Sequence, residues 1–485
     1  MLGKWFRTAH RTPLKWRVTP LTRNLHLGRD LLSELSARQL IADVTRPDDL
    51  VQHLQGGSRT IYVGIDPTAK SLHAGHLIPL LCLFHFQLRG HNTLALIGGA
   101  TALVGDPSGR MTERSLSEKA QIESNTATLM EAIQQFFSRA AEYALHKVPS
   151  PTTSAQLQVV NNLDWLKDLN LLDFLRSTGI RFRVNHMLAR DSVKTRMSAH
   201  NGITFTEFTY QLLQGHDFYE LFRTKGCTIQ VGGSDQWGNI LSGIDLINKA
   251  EGDSAGTKER GFALTTPLLT TSQGEKFGKS AGNAVWLDEK LTSYLDFYQF
   301  FLRTMDADVE RYLKMFTLLP VEEIDSVVRE HERQPEHRLA QKLLAEEVTL
   351  MIHRSKGQPA LRMRALICPA EEGLEAARVA TNVLFGTDYS ELHARDIIKS
   401  LVNDPRLVFC TEDKLLGIML PNLAANFGLT SSKSAARQLA LGNGLYLNNI
   451  PQPDIHFKLE RSHLIDGQVA ILRAGKDKHL ILALH

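Results

Sequence analysis

The chain has 485 residues, of which 43% are hydrophobic and 22% charged, with a formal charge of +3. At roughly 150 residues per domain this length predicts about three domains, and the apolar content excludes both a disordered chain and a small scaffold that needs staples. Four scattered cysteines (Cys82, Cys227, Cys368 and Cys410) lie far apart and form no Cys-x-x-Cys pair, which argues against both a disulfide framework and a thiolate zinc site.

Residues 1–29 carry only basic charges: Lys4, Arg7, Arg11, Lys15, Arg17, Arg23 and Arg29. The first acid is Asp30. An arginine-rich, acid-free leader with interspersed apolar residues has the composition of a mitochondrial transit peptide; a basic nucleic-acid-binding arm is the alternative. The longest apolar run, residues 77–86, is broken by Pro79 and His85 and falls well short of the roughly 20 residues of a membrane span. A soluble intracellular protein is expected.

Thr60–Ile65 reads as a buried strand, followed by a loop and a helix ending at Gly90. Residues 93–97 form a second strand, with a glycine-rich stretch at 98–109. After a mostly helical insertion at 116–222, residues 227–231 make a third strand, followed by Gly232-Gly233 and a helical pattern at 236–248. Strand, glycine loop and helix in repetition predict an α/β fold with a Rossmann-like parallel sheet, whose ligands bind at the carboxyl ends of the strands. Residues 291–366 read as helical, 369–411 as a linker or small subdomain. The tail holds a helix at 432–441, a stop at Gly442-Asn443-Gly444 and then short strands. The expected division is a leader at 1–30, a catalytic domain at 31–290, an α-helical domain with linker at 291–411 and a small α+β domain at 412–485.

Residues 66–76 read Asp66-Pro67-Thr68-Ala69-Lys70-Ser71-Leu72-His73-Ala74-Gly75-His76. Proline is tolerated only in a helix's first turn, so Pro79 predicts a helix start near Gly75 or His76. His73 and His76 then share the positive, amino-terminal end of that helix. With the Thr68 hydroxyl they would donate neutral hydrogen bonds to a phosphate. Metal ligation by the pair stays open, without an evident third ligand. A second group, Lys276-Phe277-Gly278-Lys279-Ser280, lies in a polar loop after the last strand and would clamp a triphosphate with two point charges; a solvated loop is the alternative. No GxxxxGK[ST] pattern occurs, which excludes P-loop chemistry. Tyr210, Gln214 and Asp217, spaced i, i+4 and i+7, put three polar groups on one helical face, a solvent-facing stripe or a pocket wall.

The histidine and lysine groups resemble the HIGH and KMSKS signatures of class I aminoacyl-tRNA synthetases. Tyr62-Val63-Gly64-Ile65-Asp66-Pro67-Thr68-Ala69, Gly105-Asp106-Pro107-Ser108-Gly109, Phe205-Thr206-Glu207-Phe208 and Gly232-Gly233-Ser234-Asp235-Gln236-Trp237-Gly238-Asn239 narrow the resemblance to the bacterial-type tyrosyl-tRNA synthetases, from about residue 35 to the C-terminus. With the leader, it implies a member working in the mitochondrial matrix.

The resemblance implies the following roles. Asp217 and Tyr62 meet the phenol of L-tyrosine, while Tyr210, Gln214, Asp106 and Gln230 hold its ammonium. Gly64, Asp66, Gly233 and Asp235 contact the nucleoside of ATP, the last two around the ribose. Gln236 sits by the reacting carboxylate and α-phosphate. His73, His76, Thr68, Lys276 and Lys279 hold the triphosphate, joined by Arg110 and Arg114; the family often has lysine at the first of these arginines. Mg2+ arrives with ATP, and no protein ligand set for it is assigned. The tail, with Ser431-Ser432-Lys433-Ser434-Ala435-Ala436-Arg437-Gln438-Leu439 followed by Gly444-Leu445-Tyr446-Leu447-Asn448, resembles an S4-type RNA-binding module. Lys433 and Arg437 would face tRNA(Tyr), and Lys458, Arg461, Arg473, Lys476 and Lys478 add basic character. The family's homodimer, formed through the inserted helical region, is carried over as an expectation. The competing readings are a non-catalytic RNA-binding or splicing protein on the same fold, the related tryptophan enzyme, and a small-molecule nucleotidyltransferase sharing the histidine signature.

Overall fold

The computed structural model describes residues 30–109, 118–148, 155–198, 202–252, 260–274, 277, 279–280, 283–353, 376, 378–384, 389, 391–402, 404–475 and 478–484. The expected leader, Arg110, Arg114, Lys276 and Lys476 lie outside the described residues.

Alternation in Thr60–Ile65 sends Ile61, Val63 and Ile65 to one face of a sheet and Tyr62 to the other, and both faces are covered. Six strands make that sheet: β1 (Asp43–Val44), β2 (Thr60–Ile65), β3 (Asn92–Ile97), β4 (Leu157–Asn161), β5 (Cys227–Gly233) and β6 (Phe262–Thr266). Their order is β1-β6-β5-β2-β3-β4. All neighbours run parallel except β1, which pairs antiparallel with β6. The helix Leu77–Leu88 packs on one face and the helices Phe205–Lys225 and Trp237–Ala250 on the other.

The described residues of the stretch 116–222 are largely helical, including Lys119–Lys147 and Phe205–Lys225. The stretch is not a pure insertion, however, because β4 within it extends the sheet beside β3. As an edge strand β4 is only half-buried, so it lacks the continuous apolar run that marked β2 and β3.

Four helices follow the sheet: Tyr294–Leu302, Asp306–Phe316, Val321–Arg333 and Leu339–His353. Their buried residues, among them Phe301, Phe316 and Met351, belong to the same core as Ile61, Leu81 and Phe136. Near the N-terminus, buried Arg38 pairs with Glu34 at 2.6 Å and donates to the carbonyls of Thr317 and Leu319 at 2.9 and 2.8 Å.

Two small strands, β7 (Lys279–Ser280) and β8 (Asn283–Ala284), form a hairpin. The C-terminal sheet comprises β9 (Leu407–Cys410), β10 (Leu445–Leu447), β11 (Ile450–Pro451), β12 (Val469–Ala474) and β13 (Lys478–Leu484) in the order β11-β10-β12-β13-β9. Here the expected boundary at 412 is corrected: β9 precedes it and pairs parallel with β13. The apolar run of β13 is buried on both faces. Leu420–Asn426 and Lys433–Leu441 cover one face, while Ala394–Leu401 and residues 379–384 cover the other. Residues read as linker are thus the second layer over this sheet.

Among the described residues, no helix is long and apolar enough to cross a membrane.

Candidate active site

β3 adds to one side of β2 and β5 to the other, so the chain changes direction at the carboxyl ends of β2 and β5. In an open parallel sheet that switch point leaves a crevice for ligands. A cleft of about 280 Å³ opens there. Tyr62, Gly64, Asp66, Thr68, His76, Asp106, Tyr210, Gln214, Asp217, Gln230, Asp235 and Gln236 all line it. His73 and Gly233 stand just behind. The His73 ring stacks on His76, and a Cβ on Gly233 would come within 2.6 Å of Asp235 Oδ1.

The helix Phe205–Lys225 supplies three of these side chains. Thr204 and Glu207 form a capping box at its start, Glu207 is held by buried Arg196 at 2.7 Å, and Gly226 ends it at a φ of 61°. Tyr210, Gln214 and Asp217 do share one face, and that face is the pocket wall rather than a solvated stripe.

Asp217 is 2% exposed and accepts hydrogen bonds from Asn162 Nδ2 at 2.9 Å and Trp165 Nε1 at 2.8 Å. Burial pushes its carboxyl up to about 7, against those two bonds and with help from Asp66 and Glu220. Tyr62 is fully buried, and its hydroxyl has no hydrogen-bond partner among the described residues. Burial and the nearby Asp217 hold that hydroxyl protonated. Gln230, register partner of Tyr62, leaves Oε1 buried and likewise unpaired among the described residues. Each such orphan costs about 1–3 kcal/mol unless a ligand pairs it.

A chain of hydrogen bonds runs from this end along the cleft. Asn162 Nδ2 also reaches Thr101 Oγ1 at 3.0 Å, and Thr101 Oγ1 and Tyr210 Oη each donate to an oxygen of Asp66 at 2.8 Å. Asp66, expected at the nucleoside, therefore sits beside the expected ammonium site. Gly98 makes this possible, since a Cβ there would lie 1.9 Å from Asp66 Oδ1. Asp106 accepts from Gln236 Nε2 at 2.8 Å and from the Ser108 amide at 3.0 Å.

At the mouth, a turn at Ala74–His76 leads into the helix Leu77–Leu88, with Pro79 in its first turn as expected. His73 Nδ1 accepts from the Gly75 amide, and His76 Nδ1 from the His73 amide, both at 3.1 Å. A ring nitrogen that accepts carries no proton, so each neutral ring presents Nε2–H as a donor. Burial, with His73 adding to it, lowers the His76 pKa to about 3, so this donor stays neutral. Among the described residues, no group of three or more His, Cys, Asp or Glu side chains is placed to hold a metal ion.

Phe277 of the second signature lies against the first. Phe277 packs among Phe300, Tyr312 and Phe316, with ring centroids 4.8–5.2 Å away. Its carbonyl oxygen is 3.9 Å from where a Cβ on Gly75 would stand. Lys279 opens β7. Beyond β8, Val285 accepts from the Ala74 amide at 2.8 Å and Leu287 donates to Leu72 at 2.9 Å, clasping the histidine loop.

In the tail, Lys433 and Arg437 are exposed, while Ala436 and Ala440 of the same helix are buried. Ser432 caps this helix through the Ala435 amide at 3.1 Å. Two of the additional cations are otherwise engaged: Arg461 pairs with Glu412, and Arg473 stacks on Tyr446 at 3.7 Å.

Sequence reasoning gave no role to Thr101, Asn162, Trp165 or Asn239. Asn162 and Trp165 follow β4, so recognising that strand would have marked them as lying at a strand's carboxyl end. Asn239 stood inside a quoted motif, but its neighbours are visible only in three dimensions.

The model for tRNA synthetases class I (W and Y) matches residues 54–365. The chain is 40% identical over 457 residues to tyrosine–tRNA ligase 1 of Bacillus subtilis, covering 93% of this chain and 99% of that protein. It is 39% identical over 461 residues to the mitochondrial tyrosine–tRNA ligase of Saccharomyces cerevisiae, covering 94% of this chain and 89% of that one. Among solved structures, a C-terminally truncated mitochondrial tyrosyl-tRNA synthetase of Aspergillus nidulans superposes with a TM-score of 0.64 at 35% identity, over 74% of this chain and 94% of that one. The family model, together with a parallel sheet that carries a histidine pair at its switch point, shows the chain to be a class I synthetase. The chain belongs to the tyrosine–tRNA ligase family of that class.

Proposed function

We propose that the chain activates L-tyrosine with ATP and transfers it to the 3′-terminal ribose of tRNA(Tyr). The observation that carries this specificity is the unpaired, buried Tyr62 hydroxyl beside Asp217 at the closed end of the cleft. A phenol there donates to the Asp217 carboxylate and accepts from Tyr62. Phenylalanine would leave the Tyr62 hydroxyl unpaired and bring Asp217 no further donor, and the indole N–H of tryptophan could donate but offers no oxygen to accept. Tyr210, Gln214, Asp106 and Gln230 supply acceptors for the ammonium, with Asp66 adding its charge through Tyr210.

The substrate carboxylate is ionised at neutral pH and needs no protein nucleophile. One oxygen attacks the α-phosphorus of ATP in line, the bond to the bridging oxygen breaks, and pyrophosphate leaves. Catalysis is then positioning and charge stabilisation. Gly64, Gly233 and Asp235 would receive the nucleoside, and Gln236 the reacting carboxylate and α-phosphate. Thr68, His73, His76, Lys276, Lys279, Arg110 and Arg114 would hold the phosphates. Mg2+ would come with ATP, neutralising phosphate charge. The ribose hydroxyl of tRNA then displaces AMP from the adenylate.

Three further parts of the reading rest on separate supports. The basic leader, with mitochondrial relatives in fungi, supports the mitochondrial matrix. Lys433 and Arg437 on one exposed helical face support tRNA binding by the tail, the expected S4-like domain. A homodimer through the inserted helical region is supported by apolar side chains left in water there, including Leu172 (68% exposed) and Phe205 (79%). The ligase reading is tested by incubating the full chain with ATP, labelled tyrosine and a tRNA(Tyr) transcript. Tyrosyl-tRNA should form; folded protein that binds the transcript but leaves it uncharged would favour the non-catalytic RNA-binding reading.

A further inference from the structure

Asn239 stands in the first turn of the helix Trp237–Ala250, 4% exposed, among acceptors from three segments of the chain. Its Nδ2 lies 3.0 Å from Gln214 Oε1, 3.2 Å from Ser108 Oγ, 3.3 Å from Gln236 Oε1 and 3.4 Å from Asp106 Oδ1. We propose that Asn239 is a positioning residue for amino-acid activation: it fixes which end of Gln214 faces the substrate's α-ammonium, and it holds Gln236 in place to orient Asp106 beside it. This deepens the tyrosine-activating reading and rests on it.

An ammonium is all donor and is held only by acceptors. A glutamine amide can turn over and exchange its oxygen for its NH2 with little steric cost, so a glutamine in an ammonium site needs something to fix which end faces inward. Asn239 supplies that restraint, because its two N–H groups draw both glutamine oxygens toward one point. Gln236 is then committed, its Nε2 donating to Asp106 Oδ2 at 2.8 Å. Gln214 keeps its second lone pair for the ammonium. The tether spans two rigid elements, for the helices carrying Gln214 and Asn239 pack with their backbones close. A Cβ on Gly215 would be 3.5 Å from the Gly243 nitrogen. Asn239 itself lies one residue layer behind the groups assigned to substrate and is not a catalytic residue.

The test compares L-tyrosine with 3-(4-hydroxyphenyl)propionate, which keeps the phenol and carboxylate but lacks the ammonium, on the full chain and on Asn239→Ala. Tyrosine-dependent ATP–pyrophosphate exchange should lose roughly tenfold to a hundredfold in kcat/KM for tyrosine, with KM for ATP unchanged. The inhibition constant of the propionate should move less than twofold. Asn239→Ser, which restores one donor, should recover part of the loss and serves as the comparison should the alanine variant fold poorly. Equal weakening of tyrosine and the propionate, or no effect on tyrosine, would overturn the inference while leaving the ligase reading intact. Absence of tyrosine-dependent exchange in the unaltered chain would overturn both.

Discussion

Asp217 is subject to opposing demands. Burial favours its neutral form and raises its pKa to about 7, whereas a tyrosine phenol is best held by the carboxylate. Binding tyrosine through its O–H therefore requires the proton to leave, so KM for tyrosine should rise as pH falls below about 7, by up to roughly tenfold per unit, and level off above it. KM for ATP should stay flat over pH 6 to 8.5. Steady-state pyrophosphate exchange across that range measures both. Asp217→Asn should cost tyrosine activation roughly tenfold to a hundredfold and abolish this pH dependence. Tyr62→Phe separates function from stability. It removes a buried hydroxyl with no partner among the described residues, so the unfolding midpoint without tyrosine should not fall, while KM for tyrosine should rise several-fold.

The two signature loops act through the elements that hold them. Phe277 anchors the lysine loop in the aromatic cluster of Phe300, Tyr312 and Phe316, and residues 285–287 clasp the histidine loop. Truncating a buried phenylalanine costs about 3–5 kcal/mol. Phe277→Ala should thus lower the unfolding midpoint and reduce kcat for adenylate formation, with KM for tyrosine little changed because the tyrosine groups lie on other elements. Thermal melts and exchange kinetics on the same preparation check both effects. This aromatic anchorage was only half legible. The sequence shows two lysines flanking Phe277, but Tyr312 and Phe316 are remote in the chain and meet it only through folding. By contrast β2, β3 and β5 were readable because strands buried on both faces carry near-continuous apolar runs. The half-buried β4 carried no such signal, and with it Asn162 and Trp165 were lost. The stripe Tyr210-Gln214-Asp217 was legible as one helical face; whether it met water or a pocket depended on the sheet opposite.

Across the whole molecule, one core joins the sheet to the helices of residues 294–353, while the C-terminal sheet has separate cores on its two faces. On the proposed roles, amino-acid activation and tRNA capture should accordingly be separable. Lys433→Ala combined with Arg437→Ala should weaken tRNA charging, reduce the salt dependence of tRNA binding and spare pyrophosphate exchange, because both side chains are exposed and far in sequence from the cleft. A lost first step in that double variant would contradict the division. Selection of a phenol at the closed end of the cleft, with the tyrosine carboxylate presented to ATP, is measured by ATP–pyrophosphate exchange on the full chain with tyrosine, phenylalanine and tryptophan in parallel. Exchange with tyrosine alone is the expected result. Comparable exchange with phenylalanine or tryptophan, or none with tyrosine from folded protein, would contradict the roles given to Asp217 and Tyr62.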